Sequence, residues 1–283
     1  MTLIFALPVM LIVGMVSGYN YCNNKTHVCE LGRRRHFMCQ LDELTPFGNH
    51  TKFHAIIPDT HKVILETLGV INTFRNVFAG GELTTKENKT FSSAKRMRRL
   101  NWDDELAYMA RTHASTVSFK HSECRATVRF PMAGECLGLL APSKKKIGLL
   151  ELLNKLFSPM FDEYKDVPDP DGLLQSFDSQ RDYNVGHFSL FVSDRVSHIG
   201  CGIAVGSNCN LNGKAGFCHF LTCHFDYSNV DGSYVYKAGA PVSGCSDWNT
   251  VGSNKYNNLC ANTGELFPPD RGDEKAEAPL RLS

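Results

Sequence analysis

Eleven cysteines in 283 residues restrict the fold of this chain more than any other feature of its sequence. They follow an apolar run from Leu3 to Val16, which ends in the small residues Ser17 and Gly18. Such a run, too short to span a bilayer with its flanks, predicts a cleaved secretory signal over residues 1–18; an uncleaved anchor is the alternative. Because oxidising compartments form and keep disulfides, we expect a secreted, extracellular and disulfide-bonded protein.

The odd number of cysteines leaves at least one of them without a partner in the chain. No two have the C-x-x-C spacing of a zinc ribbon. A formal net charge of +1 provides no overall field that would select nucleic acid or a membrane surface. Three sequons in polar stretches fit secretion and predict glycans at Asn24, Asn49 and Asn88.

The first half of the chain shows the apolar periodicity of helices. A first helix is expected after the start signal Pro58-Asp59-Thr60, and Gly80-Gly81 ends it. A second helix is expected from Asp103-Asp104 to Val117, with carboxylates in its first turn. A third is expected over 147–167, kinked at Pro159.

The second half has the character of strands. The runs HFSLFVS (187–193) and GFCHFLTCHFDY (216–227) are rich in aromatic and β-branched residues and predict strands. The stretch NLNG (210–213) predicts a hairpin turn. Helices followed by strands indicate an α+β fold, and not a parallel sheet with crossover helices.

Four stretches resemble the motifs of one protein family. GHFSLFVSDRVSHIGCG (186–202) matches its first signature, and FLTCHFDYSNVDGSYVY (220–236) resembles its second, which carries Cys-Asn-Tyr. INTFRNVFAGG (71–81) resembles the motif H-N-x-x-R-N, and AKRMRRLNWDDELAYMA (94–110) the approach to the second helix. The chain thus resembles the CAP superfamily of cysteine-rich secretory and pathogenesis-related proteins, and within it the insect antigen 5 venom allergens.

The resemblance covers nearly the whole chain after the leader. It implies a CAP-type α-β-α sandwich with an antiparallel sheet, stapled by disulfides. The CAP (SCP) domain would span 58–236, after a cysteine-bearing arm (19–57). A C-terminal extension and a polar, disordered tail would follow (237–283).

Four positions depart from the family motifs without removing a charged cleft residue. Ile71 replaces histidine, Cys136 asparagine, Ser193 tryptophan and Phe225 tyrosine. Ser193 is conceivable as a nucleophile, but we expect it on a strand, with no base assigned to it. The basic segment 95–99 is interpreted as a solvated face.

The resemblance also implies a pairing of the cysteines. A further family bridge would join the positions of Phe47 and Val117, and both of its cysteines are absent. Cys136 is left over, either as a buried thiol or as an intermolecular bridge. The family pattern implies Cys22 with Cys39, Cys29 with Cys124 and Cys201 with Cys223, and proximity suggests Cys209 with Cys218 and Cys245 with Cys260.

By the same resemblance, two histidines and two glutamates line one cleft: His121, Glu135, Glu163 and His187. They are expected at the end of the second helix, in the turn that follows, on the third helix and on the signature strand. Neutral imidazoles are good zinc ligands, and carboxylates can orient an imidazole or activate a water. We therefore expect a divalent metal such as zinc on His121 and His187; the alternative is a hydrogen-bond network without metal. His113 is expected to be a core or rim histidine.

The function implied by the resemblance is non-enzymatic. We expect a monomer that binds an extracellular protein or a small hydrophobic ligand, through the cleft or a hydrophobic groove. The alternative is a metal-assisted hydrolase in which His121 and His187 hold the ion and Glu135 or Glu163 is the base. Binding is favoured because no nucleophile, oxyanion-hole motif or third firm metal ligand is evident.

Overall fold

The computed structural model of this protein describes residues 20–22, 29 and 34–264. The predicted signal, Asn24 and the predicted tail beyond residue 264 lie outside the described residues. The helices are α1 (His61–Ala79), α2 (Asp104–Ser115), α3 (Leu149–Phe161), α4 (Pro170–Gln175) and α5 (Gly186–Phe191). The strands are β1 (Lys52–Ile56), β2 (Asn101–Trp102), β3 (Gly134–Ser143), β4 (His198–Leu211) and β5 (Lys214–Phe225). Short 3₁₀ helices span Phe37–Cys39, Leu41–Glu43, Phe47–Asn49, Asp162–Asp166, Tyr183–Val185 and Cys245–Trp248.

The first two helices begin where the sequence predicts. The Thr60 side chain accepts a hydrogen bond from the Val63 N–H, which caps α1, and Asp103 caps α2 in the same way through Leu106. The second helix ends at Ser115, two residues before the predicted end. Val117 has a φ of 48°, which is incompatible with a right-handed helix.

The predicted third helix is divided into two kinds of helix. Its α-helical part, α3, ends at Phe161, and a 3₁₀ helix continues over Asp162–Asp166. Pro159 lacks an N–H and cannot donate to the preceding turn. The tighter 3₁₀ segment carries Glu163 toward α5.

The prediction of a strand over 187–193 was wrong. This stretch forms the short helix α5, in which Phe188, Ser189, Leu190 and Phe191 are all buried. In a short run of mostly apolar residues, the periodicity of the sequence cannot distinguish a buried strand from a buried helix. Ser193 accordingly follows a helix and does not lie on a strand.

Strands β1, β2 and β3 were not predicted, and β4 was expected only as the first arm of the hairpin at 210–213. The Gly-Glu segment expected as a turn begins β3, because Glu135 is its second residue. Gly134, Gly138 and Pro142 give the stretch the composition of a loop. Gly134 is needed in the strand, since a Cβ there would lie 2.5 Å from the backbone carbonyl oxygen of Tyr227.

The sheet has the order β1-β4-β5-β3 with antiparallel neighbours, and β2 pairs with β4 in parallel. The hairpin predicted at 210–213 joins β4 to β5. Its central residues Asn212 and Gly213 have φ values of 53° and 76°, as a two-residue turn between twisted strands requires. Two adjacent rows of residues cross β3, β5 and β4. One row consists of Glu135, His224 and Gly200, and the next of Cys136, Cys223 and Cys201.

Helices cover both faces of the sheet, which makes an α-β-α sandwich. The face that carries Cys223 belongs to the main apolar core, with side chains from α1, α3 and α5. On the opposite face, α2 lies so close to β4 that a Cβ on Gly200 would fall 2.0 Å from the Ala107 nitrogen. Phe37 of the N-terminal arm packs on this side against α2. The expected fold class is therefore confirmed.

The basic segment 95–99 is not a solvated face, and that interpretation was wrong. Arg96 and Arg98 are fully buried. The Arg96 guanidinium bonds Asp194 at 2.9 Å, and that of Arg98 lies 3.5 Å from the Trp248 ring centroid of the C-terminal extension. A run of basic residues does not reveal partners that come from distant parts of the chain.

Arg75 of α1 is a third buried cation. Its guanidinium donates to the carbonyls of Arg98, Phe191, Ser193 and Val196, at distances of 2.6 to 3.2 Å. Burial lowers its pKa to about 9. Arg75 thereby ties α1 to the loop between α5 and β4.

The structure contains the five expected disulfides, and Cys136 is a buried thiol. The bonds join Cys22 to Cys39, Cys29 to Cys124, Cys201 to Cys223, Cys209 to Cys218 and Cys245 to Cys260. Among the described residues, no helix combines the length and the apolar character needed to cross a membrane.

Candidate functional site

The four predicted cleft residues come from four regions of the fold. His121 lies in the loop after α2, and Glu135 near the start of β3. Glu163 lies on the 3₁₀ segment after α3, and His187 is the second residue of α5. The expected turn for Glu135 and the expected strand for His187 were both wrong, because β3 and α5 were not predicted.

The structure brings these residues together as two histidine–glutamate pairs. The Nδ1 atom of His121 lies 2.8 Å from Oε1 of Glu135, and Nδ1 of His187 lies 2.7 Å from Oε1 of Glu163. The second oxygen of Glu163 accepts the Phe188 N–H at 3.0 Å. The side chain of His121 is 58% exposed and that of His187 31% exposed, so solvent reaches both imidazoles.

This geometry determines which ring nitrogens are free to bind. A carboxylate accepts hydrogen bonds, so Nδ1 of each histidine carries the proton and Nε2 keeps its lone pair. Histidines that bind metals in proteins have this arrangement, with the other ring nitrogen donating to a carboxylate. Glu135 and Glu163 thus fix the orientation of the His121 and His187 rings.

Glu135 is also the centre of a buried cluster that extends away from the cleft. Its Oε1 accepts from Nδ1 of His121 and from the Ser122 N–H at 2.9 Å. Its Oε2 accepts from Nδ1 of His113 at 2.9 Å, from Nε2 of His224 at 3.0 Å and from the Ser122 hydroxyl at 2.9 Å. Glu135, His113 and His224 are fully buried at the side chain.

Within the described residues, His113, Glu135 and His224 form the one group of three potential ligand atoms that lie within 4.8 Å of one another. One nitrogen of each histidine already donates to Glu135, whereas Nε2 of His113 and Nδ1 of His224 are buried and make no hydrogen bond within the described residues. The cleft residues do not form such a group of three. The structure therefore has two hydrogen-bonded imidazoles at the surface and a buried hydrogen-bond network beneath one of them.

The charge of Glu135 is stabilised by its surroundings. Burial opposes its ionisation, but the Arg125 guanidinium, 3.5 Å from Oε1, and the imidazole hydrogen bonds hold the pKa of Glu135 well below its usual range. Burial lowers the pKa of His224 to about 4. His224 is therefore a neutral donor to an ionised carboxylate at physiological pH.

Sequence reasoning missed the roles of His113 and His224. His113 is a core residue, as expected, but it also donates to Glu135. His224 stands where the second family signature has asparagine, and it faces Glu135 directly across β3 and β5. That departure was the available signal, and it could be interpreted only once β3 was recognised as a strand.

A Ser-His-Asp group elsewhere does not have the geometry of a hydrolase. Ser197 lies 2.7 Å from Nδ1 of His198, and its hydroxyl donates to Asp226. A serine nucleophile must instead give its proton to the histidine while the carboxylate holds the other ring nitrogen. Ser197 is fully buried, so this group joins the start of β4 to the end of β5. Ser193, the nucleophile weighed from the sequence, is buried as well.

Comparison with known proteins identifies the family. The profile of the CAP, or cysteine-rich secretory protein, family matches residues 68–225, which is more than half of the chain. Venom allergen-1 of Aedes albopictus is 28% identical over 246 residues, which cover 86% of this chain and 87% of that protein. The antigen 5 like allergen Cul n 1 of Culicoides nubeculosus is 29% identical, over 68% of this chain and 85% of that protein.

A solved structure supports the fold independently. The crystal structure of NaASP2 with Zn²⁺ superposes with a TM-score of 0.55 at 20% identity. It covers 72% of this chain, and 98% of the NaASP2 chain is matched. With the signature motifs, the sandwich and the disulfides described above, these matches show that the chain belongs to the CAP family of cysteine-rich secretory proteins.

Proposed function

We propose that this protein is secreted and acts outside the cell by binding, without catalysis, and that its cleft holds a divalent ion such as zinc on His121 and His187. The observation that carries the proposal is the orientation of both imidazoles. Each donates Nδ1–H to a buried or half-buried carboxylate, and solvent reaches each imidazole.

The donor set fits zinc. Neutral imidazole is a preferred ligand of this ion, and two protein ligands leave coordination positions for water or for a group of the bound partner. The crystal structure of NaASP2, which shares the fold, contains Zn²⁺. An ion in such a site would link the protein to an anionic or nitrogen-containing group of its ligand.

The same geometry favours binding over the hydrolase alternative. A general base needs a carboxylate oxygen that is free to take a proton from water. In Glu135 both oxygens accept two or more hydrogen bonds each, and its low pKa makes it a weak base. Both oxygens of Glu163 are likewise engaged, by His187 and the Phe188 N–H. The carboxylates orient the histidines and are not placed to activate water.

A hydrophobic ligand has a second place to bind. A groove of about 400 Å³ lies between α1 and α3. Its lining includes Val70 and Phe74 of α1 and Leu150 of α3, together with the C-terminal Tyr256. Clefts of this size with apolar walls are typical sites for small ligands.

Calorimetric titration with zinc, on protein from which a chelator has first removed any bound metal, tests the metal site. We expect one site in the wild type and a large loss of affinity in His121→Ala and in His187→Ala. His61→Ala is the matched control, because His61 is exposed and lies outside the cleft. Affinity should fall at acidic pH, because an imidazole must be neutral to bind the ion and protons compete with zinc for Nε2.

Two results would contradict the proposal. An unchanged zinc affinity in both His121→Ala and His187→Ala would refute the metal site. Turnover of a peptide, ester or phosphoester that is lost in His187→Ala would establish the hydrolase instead.

A further inference from the structure

Three cysteines lie side by side across three neighbouring strands. Cys136 of β3 is directly opposite Cys223 of β5, and Cys201 of β4 is directly opposite the same residue on the other side. Directly opposite residues point to the same face of a sheet. All three indeed belong to the apolar core on the side of α1, α3 and α5. Cys223 therefore has a cysteine neighbour on each side.

One of the two bridges that this row allows is formed. Cys223 is bonded to Cys201, with Cα atoms 4.1 Å apart, and Cys136 is a buried thiol. Opposite residues of an antiparallel pair have Cα atoms roughly 4.5 to 5.5 Å apart, which a disulfide can span. The register alone thus brings Cys136 within bonding range of Cys223.

We propose that this row is an intramolecular thiol–disulfide exchange site, in which Cys136 can displace Cys201 from Cys223. The Cys136 sulfur attacks the Cys223 sulfur, a bond forms between them, and the bond between Cys223 and Cys201 breaks. Cys201 leaves as a thiolate and takes up the proton that Cys136 gave up. One disulfide replaces another, so no oxidant or reductant is consumed.

The surroundings make this exchange slow at neutral pH. Burial raises the pKa of the Cys136 thiol, and the negative charges of Glu163 and Glu135 add to that effect. The thiolate is the attacking species, so its low fraction at neutral pH slows the conversion of the Cys201–Cys223 form. Exchange should therefore accelerate as the pH rises.

The exchange would move a covalent link from one strand to another. In the observed form β5 is tied to β4, whereas in the exchanged form it is tied to β3. Cys136 immediately follows Glu135, which orients His121, so the new link lies next to the cleft. The proposal itself rests on the strand register and does not depend on the proposed function.

Single cysteine variants of the full chain, secreted from a eukaryotic host, test the geometry. Cys201→Ser should contain no free thiol, because Cys136 then pairs with Cys223. Cys223→Ser is the matched control: Cys136 and Cys201 are two strands apart, about 9 to 10 Å, beyond the reach of a disulfide, so two thiols should remain. A natively folded Cys201→Ser protein with thiols at both Cys136 and Cys223 would overturn the proposal.

The wild-type protein provides a second test, which decides the matter if Cys201→Ser does not fold. The protein is held at alkaline pH, quenched in acid, unfolded with a maleimide present and digested without reduction. Peptide mass spectrometry should then find part of the maleimide on Cys201 and a Cys136–Cys223 peptide, both increasing with incubation time. Label that stays confined to Cys136 throughout would refute the exchange.

Discussion

The buried cluster around Glu135 predicts that this protein loses stability in mild acid, well before its carboxylates titrate. The pKa of His224 is lowered from 6.5 to about 4 by burial. Below 6.5 the unfolded chain takes up a proton at this histidine, while the folded protein does so only near 4. Stability should therefore fall as the pH drops through this window, and be fully present above it.

The size of this effect follows from the shift. A difference of roughly 2.5 pKa units corresponds to about 3 kcal/mol, lost at about 1.4 kcal/mol per pH unit. The structure explains why protonation is so unfavourable. The Nδ1 atom of His224 is buried and makes no hydrogen bond within the described part of the chain, so an added proton would have no acceptor there. Arg125 and His113 lie near His224, and both further oppose its protonation.

Glu135 adds a second, more acidic phase. Its pKa is held well below the usual value, so its ionised form contributes stability above about 4.5, the ordinary value for a glutamate. That contribution is lost as the pH falls from there toward its folded pKa. Acid unfolding should thus proceed in two overlapping windows, with His224 first.

Denaturant unfolding with intact disulfides and a chelator present measures this. In His224→Asn the side-chain amide can still donate to Glu135 but does not titrate. As the pH falls from about 7.5 to about 4, wild type should lose about 3 kcal/mol more of its free energy of unfolding than His224→Asn does. His61→Asn, which changes an exposed histidine, should run parallel to wild type. A constant difference between His224→Asn and wild type over this range would refute the reasoning.

Three further predictions follow from single side chains. Glu163→Gln should weaken zinc binding by about 10- to 100-fold with the fold intact, since it removes the carboxylate that orients His187. Glu151→Gln, on the exposed face of α3, should leave zinc binding unchanged. Calorimetric titration measures the zinc affinity of both variants. Gly69→Trp should block binding of an apolar fluorescent dye, and Gly69→Ala should not, because Gly69 lines the groove and a Cβ there meets nothing within 4 Å. Arg75→Met should lower the free energy of unfolding by about 3 kcal/mol or more, as judged by denaturant titration, because several buried carbonyls lose their donor.

Local signals in the sequence were sufficient for part of the fold. The caps at Thr60 and Asp103 and the Asn212-Gly213 turn act within a few residues, so α1, α2 and the β4–β5 hairpin could be predicted. The strand at β3 could not, because its glycines and proline resemble a loop and its pairing with β5 is long-range. The helix α5 was mistaken for a strand because four consecutive residues, 188–191, are all buried and leave no periodicity to distinguish the two.

The candidate site could be predicted in its identities but not in its arrangement. The family motifs pointed to His121, Glu135, Glu163 and His187, and the structure pairs each histidine with one glutamate. The contribution of His113 and His224 depends on α2 crossing the sheet at Gly200 and on the register of β3 with β5. Neither the helix crossing nor the strand register is encoded in local periodicity.

The most direct test of the account is a crystal structure of the zinc-loaded protein with anomalous scattering recorded at the zinc edge. We expect one peak bonded to Nε2 of His121 and Nε2 of His187, with Nδ1 of each still hydrogen-bonded to Glu135 and Glu163. A peak on His113 and His224, or no peak at the cleft in a protein that binds zinc in solution, would contradict it.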